Sequence, residues 1–457
     1  MVNLLSTSLL TGLAALQASA SVTVRKTGRG PTGYEVDFKY TNTTASRVLI
    51  GGGIQPFTDQ FHTTLGTNAM YDPHTYQPGD FYVKSHPTAN YTWPYEMKVD
   101  DQGVWSYTTP LPSGIYSFAY LVDCDYVLNC TVDTGKLIVD PDLPPFQNVQ
   151  GDQVSSSFQV PFDAEFQTGE PYGNFDYALP AAPGHRGTIR TVNYTSPGSI
   201  HPAPDVHDFT IYLPSEYGHV PGKKYPLLYI SHGANGNGAE WENLGRVSSI
   251  LDNLIADGHI VPTVAVMPSF YNLDDTLPRF IYGHSEIVSA PYPDYVRENY
   301  QRYLFPWIEE HFEVCREPSC RAFSGLSLGG LLAYEMYINA TDYFDYYGLF
   351  SPAMTAPYFN PSSLRQNPLR ENKKIFIACG LYDSLLTKTL DLQHALDASK
   401  IEYVSRVSPF GSHYWNTWQD NLWWFGVKSL WKRSSSRLDL GRSGSSISSS
   451  NQTLCIH

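Results

Sequence analysis

The chain has 457 residues, more than a single hydrophobic core usually supports, so two domains are expected. Hydrophobic residues make up 42% of it and charged ones only 16%, which excludes a disordered or coiled-coil chain. Thirty Lys and Arg against 44 Asp and Glu leave a formal charge of −14, so neither a nucleic-acid backbone nor an anionic membrane surface is an expected partner.

Residues 1–20 are apolar and end in Ala18-Ser-Ala20, the small-x-small pattern of a signal-peptidase site, and are read as a signal peptide. No later stretch has the roughly 18 unbroken apolar residues of a membrane span, so the chain is expected to be exported and then soluble, with no membrane partner. Asn-X-Ser/Thr acceptors at Asn42, Asn90, Asn129, Asn193, Asn339 and Asn451 fit a glycoprotein, whereas Pro361 removes Asn360. Two close cysteine pairs, Cys124/Cys130 and Cys315/Cys320, read as local disulfides of an oxidising compartment. Neither has a second Cys or His at ligand spacing, so no metal is expected. Cys379 reads as a packed thiol inside a strand, and Cys455 has no assignable partner.

Residues 21–145 alternate apolar and polar in short runs broken by Gly, Pro and Asn, as in Tyr34-Glu-Val-Asp-Phe-Lys-Tyr40 and Gly114-Ile-Tyr-Ser-Phe-Ala-Tyr120. That spacing predicts a β-sandwich. Trp105, Tyr116 and Phe118 alternate as core residues should, and are read as core rather than as a sugar-stacking platform. Residues 146–183 are polar, Gly- and Pro-rich and aperiodic, and are predicted to be a linker packed on the surface.

From residue 184 to 431 strand-like and helical runs alternate, predicting a mostly parallel sheet flanked by helices. Strands are expected at 208–213, 226–230, 263–267, 321–324, 347–350 and 374–379. Helices are expected at 241–257, 294–312 (kinked at Pro306), 328–338, 385–399 and 418–431. Residues 432–457 form a Ser-rich tail with little to bury, expected to be disordered.

Gly325-Leu-Ser327-Leu-Gly329 fits G-x-S-x-G, preceded by a β-run and followed by an apolar helix. A nucleophile between strand and helix sits in a tight turn whose flanking positions cannot carry a Cβ. The following helix then aims its dipole and free N–H groups at a developing oxyanion. A seryl hydroxyl needs a base and a group that orients the base, in the chain order Ser, acid, His. Gly380-Leu-Tyr-Asp383 turns off the Lys374–Cys379 strand, and Gly411-Ser-His413 follows the last strand. Asp383 also suits a helix N-cap, and the two uses are compatible. His284 and His311 precede the serine, and His394 lies within a helix, so His413 is the candidate base. The oxyanion donors are predicted to be the N–H groups of Leu328 and Ala234, the latter in the loop Ser231-His-Gly-Ala-Asn-Gly-Asn-Gly238, which His232 braces. That loop lacks the Lys-Ser/Thr ending of a phosphate-binding P-loop.

Tyr225-Pro-Leu-Leu-Tyr-Ile-Ser-His-Gly233 with Trp241, Arg321-Ala-Phe-Ser-Gly-Leu-Ser-Leu-Gly-Gly330, Gly380-Leu-Tyr-Asp383 and Gly411-Ser-His-Tyr-Trp415 together resemble the esterase D-like α/β-hydrolases. These are carbohydrate esterase family one, with its feruloyl and acetylxylan esterases, and the related enterochelin esterases. Residues 21–145 resemble the immunoglobulin-like domain that precedes such esterases, on Asp100-Asp-Gln-Gly-Val-Trp105, Leu111-Pro-Ser-Gly-Ile-Tyr116 and Asp140-Pro141. The resemblance implies an α/β-hydrolase fold behind a smaller all-β sandwich, a Ser327-Asp383-His413 triad and no cofactor. Ser412 stands where family members usually carry Gly. Trp241, Tyr382 and Trp415 are the candidate substrate contacts, and the aromatic loop from Tyr271 to Tyr292 is expected to shape the site. The expected function is a secreted serine carboxylic-ester hydrolase acting on feruloyl or acetyl esters of plant cell-wall polysaccharide. A siderophore esterase and a non-catalytic carbohydrate-binding or cell-surface protein remain the alternatives, and oligomeric state is not predicted.

Overall fold

The structure is a computed structural model that describes residues 20–52, 95–124, 134–147, 152–197, 206–234, 236–269, 292–354 and 372–431, with a few short stretches between them. The leader-like segment up to Ser19, Asn90, Asn129, Cys130, the loop 271–291 and the tail with Asn451 and Cys455 lie outside the described residues.

The N-terminal half is a pair of antiparallel sheets. One has the strand order Ala20–Lys26, Tyr34–Thr41, Val104–Pro110, Lys98–Val99. The other has the order Pro145–Gln147, Gln153–Val160, Gly114–Val122, Val48–Gly52, Tyr95–Glu96. Successive residues of a strand point to opposite faces, so the alternation in the sequence becomes one buried face per sheet. Val36, Phe38 and Tyr40 pack from one sheet against Tyr116, Phe118 and Tyr120 from the other. The Phe38 and Phe118 rings meet edge to face, with centroids 5.2 Å apart. Trp105, Tyr116 and Phe118 are therefore core side chains.

The predicted linker contains a strand. Gln153–Val160 pairs with Gly114–Val122 in the register Ser157↔Ser117, and Pro145–Gln147 adds outside it through Phe146↔Ser155. Phe158 and Val160 enter the sandwich core, while Ser155, Ser157 and Gln159 take the other face, toward the C-terminal half. Ser157 Oγ donates to the Asn243 carbonyl (2.6 Å) and accepts from the Arg246 guanidinium (3.0 Å). The Gln419 amide donates to Gln159 Oε1 at 3.3 Å. A strand whose outer face hydrogen-bonds to another domain has the polar composition of a linker, because its hydroxyls and amides are satisfied by protein instead of water. Residues 161–187 do cross to the second half irregularly, with short 3-10 turns at Asp176–Ala178 and Pro183–His185.

The C-terminal half is an eight-stranded sheet in the order Thr188–Thr195, Val206–Leu213, Val264–Pro268, Leu227–Ser231, Arg321–Leu326, Tyr346–Phe350, Lys374–Gly380, Val404–Ser408. Val206–Leu213 runs antiparallel to both its neighbours, and the strands from Val264–Pro268 onward pair in parallel. Every residue of Leu227–Ser231, Val264–Pro268 and Arg321–Leu326 is buried, as in a parallel sheet covered on both faces. Helices Val247–Ala256 and Trp415–Lys428 cover one face, and Tyr292–Asn299, Phe305–His311 and Leu328–Asn339 cover the other.

Two helices differ from expectation. The 241–257 run splits into Glu240–Asn243 and Val247–Ala256, because Arg246 takes a left-handed φ of 55° and ends the first turn. The 292–311 run is interrupted by a π-helical turn, Tyr300–Leu304, immediately before Pro306, which cannot donate to the preceding ladder. Among the described residues no helix is long and apolar enough to cross a membrane.

Candidate active site

Ser327 sits between the Arg321–Leu326 strand and the Leu328–Asn339 helix with φ 54° and ψ −113°. This conformation costs a non-glycine residue about 1–3 kcal/mol and persists only where the surroundings impose it. Here the Ser327 N–H donates to the Phe350 carbonyl and the Ala353 N–H to the Ser327 carbonyl, both at 2.9 Å. A Cβ on Gly325 would lie 2.5 Å from the Gly329 backbone, and one on Gly329 would lie 2.4 Å from the His232 carbonyl. The two glycines of the motif are thus required by crossing backbone.

His413 lies in the loop between Val404–Ser408 and the helix that starts at Trp415. Ser327 Oγ is 3.1 Å from His413 Nε2, and His413 Nδ1 is 3.0 Å from each Asp383 carboxylate oxygen. The Asp383 side chain is fully buried, whereas that of His413 is 26% exposed, so the imidazole opens to substrate and the carboxylate does not. Burial alone would raise the Asp383 carboxyl. The hydrogen bond and charge of His413 outweigh it, with the Leu385 N–H and the Ser351 hydroxyl assisting, and hold it below the usual carboxylate range. Asp383 Oδ1 accepts the Leu385 N–H at 2.8 Å, so the carboxylate also anchors the entry to the Leu386–Ala398 helix.

Leu328 is the first residue of its helix, where N–H groups have no acceptor within the helix. Ala234 lines the cavity in front of Ser327. His232 is buried in the same loop, and its Nδ1–H donates to the Gly233 carbonyl at 2.7 Å; burial pushes its pKa down to about 3 and keeps it neutral. Cys379 is a free buried thiol, raised to about 12 by burial. Cys315 and Cys320 form a disulfide just before the start of the strand that leads to Ser327.

The cavity above Ser327 has a volume of about 570 Å³. Trp415 lines it together with Trp418, whose ring stands edge-on to His413 at 5.0 Å. Trp241 does not. It is completely buried, donates its indole N–H to the Ser231 carbonyl (2.9 Å) and packs edge-on against Trp415. An aromatic residue just after a glycine-rich loop was free to face either way, and the apolar underside of the sheet took it. Tyr382 is not part of the wall either; its N–H is tied to the Gly411 carbonyl, and Ser384 and Leu385 line the cavity instead. Sequence reasoning missed Ser351, whose hydroxyl accepts the Trp418 indole N–H at 3.3 Å and supports Asp383. It also missed Glu240, a buried carboxylate against the cavity. Neither belongs to a motif: Ser351 follows the Tyr346–Phe350 strand that pairs with the strand before Ser327, and Glu240 opens the short helix after the glycine-rich loop.

Residues 205–426 match the Esterase family, described as "Putative esterase". An endo-1,4-beta-xylanase/feruloyl esterase of Xylanibacter ruminicola is 28% identical over 338 residues, which cover 71% of this chain and 39% of that protein. Endo-1,4-beta-xylanase Y of Acetivibrio thermocellus is 26% identical over 224 residues, covering 45% of this chain and 20% of that protein. The chain therefore spans well under half the length of these relatives. Among solved structures, the enterobactin esterase of Shigella flexneri superposes with a TM-score of 0.52 at 16% identity, covering 89% of this chain and 94% of that one. At that identity the likeness concerns fold, and its coverage takes in the sandwich as well as the hydrolase half. Residues 205–426 are thus similar to the Esterase family, and the half of the chain that contains them has the α/β-hydrolase fold.

Proposed function

We propose that the protein is a secreted serine carboxylic-ester hydrolase acting on feruloyl or acetyl esters of plant cell-wall polysaccharide. The observation that carries this reading is the unbroken relay from Ser327 through His413 to Asp383, at 3.1 and 3.0 Å, on a strained strand–helix turn. Ser327 Oγ attacks the ester carbonyl carbon while His413 Nε2 takes its proton. The N–H groups of Leu328 and Ala234 receive the oxyanion, and the tetrahedral species expels the alcohol, which His413 protonates. Water, deprotonated by His413, then releases the acid from the acyl-enzyme. Asp383 stays ionised throughout, holding Nδ1 protonated and balancing the imidazolium charge. No step calls for a metal or organic cofactor.

The substrate class is supported by the xylanase/feruloyl esterase name of one relative and by the cavity's chemistry. Among the described residues that line it there is no Lys or Arg; the walls are largely Phe, Tyr, Trp and Leu with a few hydroxyls, and Glu240 adds a carboxylate. Such a surface suits a neutral phenolic acyl group or sugar better than a polyanionic ferric siderophore, the second reading raised by the fold of the enterobactin esterase. Competition of methyl ferulate, acetylated xylan and a ferric catecholate siderophore on the purified protein tests the choice. A kcat/KM a hundredfold higher for the siderophore, about 2.7 kcal/mol of transition-state discrimination, overturns the polysaccharide reading.

Export is supported by the leader-like residues 1–20 and by the Cys315–Cys320 disulfide. Mass analysis of protein from culture medium should find Ser21 as the first residue, and a cell-retained chain starting at Met1 would refute it.

A further inference from the structure

The cavity in front of Ser327 is not made by the hydrolase half alone. Ser117, Phe146 and Ser155, all from the N-terminal sandwich, form part of its wall, across from Ser327, Trp415 and Trp418. Their sequence separation hides a simple geometry. Phe146 pairs with Ser155 across one strand boundary and Ser157 with Ser117 across the next, so on a sheet of period two all four side chains share one face. The opposite face, with Tyr116, Phe118 and Phe158, is spent on the sandwich core. The outward face is held against the hydrolase half by the Ser157–Asn243 and Ser157–Arg246 bonds. Ser117 Oγ lies 3.3 Å from the hydroxyl of Tyr414, the residue after His413. Phe146 remains only half-buried, its ring at the edge of a space large enough for a substituted aromatic ring.

We propose that the sandwich is part of the ester site, and that Phe146, with the Ser117 and Ser155 hydroxyls beside it, is the wall that receives a neutral aromatic acyl group while its carbonyl reaches Ser327. The proposal rests on the esterase reading above. An aromatic ring gains most from another ring in offset or edge contact, and hydroxyls next to it meet phenolic or methoxy oxygens without introducing charge. The wall contacts the part of the substrate remote from the bond that breaks. Its binding energy therefore enters kcat/KM for large acyl groups and is largely absent for acetate, so selectivity is the quantity that reads it.

The test compares kcat/KM for methyl ferulate with that for p-nitrophenyl acetate in the full chain, with active sites counted by fluorophosphonate titration so that misfolded protein is not scored. Phe146→Ala should lower the ferulate-to-acetate ratio tenfold or more. Phe146→Leu, which keeps the apolar packing, should lower it at least threefold, and Ser117→Ala/Ser155→Ala should act in the same direction. Thr23→Ala, exposed on the other sheet, should leave the ratio unchanged. A wild-type protein active on acetate but not on ferulate, or Phe146→Ala and Phe146→Leu ratios within twofold of wild type, overturns this inference and leaves the esterase reading in place. A wild type that is neither labelled nor active on either ester overturns both.

Discussion

The backbone N–H of Ile115 donates to the Asn416 side-chain carbonyl over 2.7 Å, tying the sandwich to the third residue after His413. Both partners are buried, and Gly114 makes room for the amide, since a Cβ there would lie 2.9 Å from Asn416 Nδ2. Asn416→Ala removes the acceptor and strands a buried N–H, which should cost about 1–3 kcal/mol in urea unfolding and lower the melting temperature. Because the same helix follows the His413 loop directly, turnover should fall with it. An unchanged unfolding free energy would mean that the junction is open to water.

Asp383→Asn should reduce kcat by about four orders of magnitude while leaving the fold intact, because an amide presents an N–H to His413 and favours the wrong tautomer. Circular dichroism checks the fold and steady-state kinetics the loss. A drop of less than tenfold assigns the orienting role to another carboxylate.

Acid sensitivity should have an identifiable source in His232. Its folded pKa, about 3, lies below the ordinary histidine value of roughly 6.5 because burial disfavours the cation. Between those values the unfolded chain binds the extra proton, so stability falls as pH drops through that window, by at most about 1.4 kcal/mol per pH unit. Asp383 acts further down the scale: a carboxyl lowered in the folded state gives stability that is lost as pH falls through its folded pKa. His232→Gln should flatten the decline in unfolding free energy between pH 6 and pH 4. A slope equal to wild type would mean that His232 is protonated in the folded protein.

Trp241 offers a contrast between core and wall. Trp241→Ala should cost about 3–5 kcal/mol as a buried cavity, yet alter KM for p-nitrophenyl acetate less than twofold per titrated site. A large rise in KM with little loss of stability would place its ring against substrate after all.

The hydrolase half was readable because its chemistry sits in contiguous motifs. The Gly325–Gly329 spacing is dictated by backbone crossing at Ser327, and the acid and base each follow a recognisable β-run. Residues 146–160 were misread because period two appears as hydrophobic alternation only when one face meets water and the other a core. Here Ser155, Ser157 and Gln159 meet another domain, and Ser156 in the core-side row is itself polar, so the pattern dissolves. The helix break at Arg246 turns on a left-handed residue that is not glycine, which local propensity does not signal. Ser351 illustrates the remaining limit: it reaches the site through strand order, a property of the whole sheet rather than of any segment.

The central claim is that Ser327 is the nucleophile of an acyl-enzyme, and Ser327→Ala tests it most directly. The account predicts that a fluorophosphonate labels the wild-type protein once, at Ser327, and that the variant is folded, unlabelled and at least a thousandfold slower toward p-nitrophenyl acetate and methyl ferulate. A folded Ser327→Ala protein that hydrolyses either ester at a rate near wild type, or that still takes up the label at another serine with burst kinetics, would contradict it.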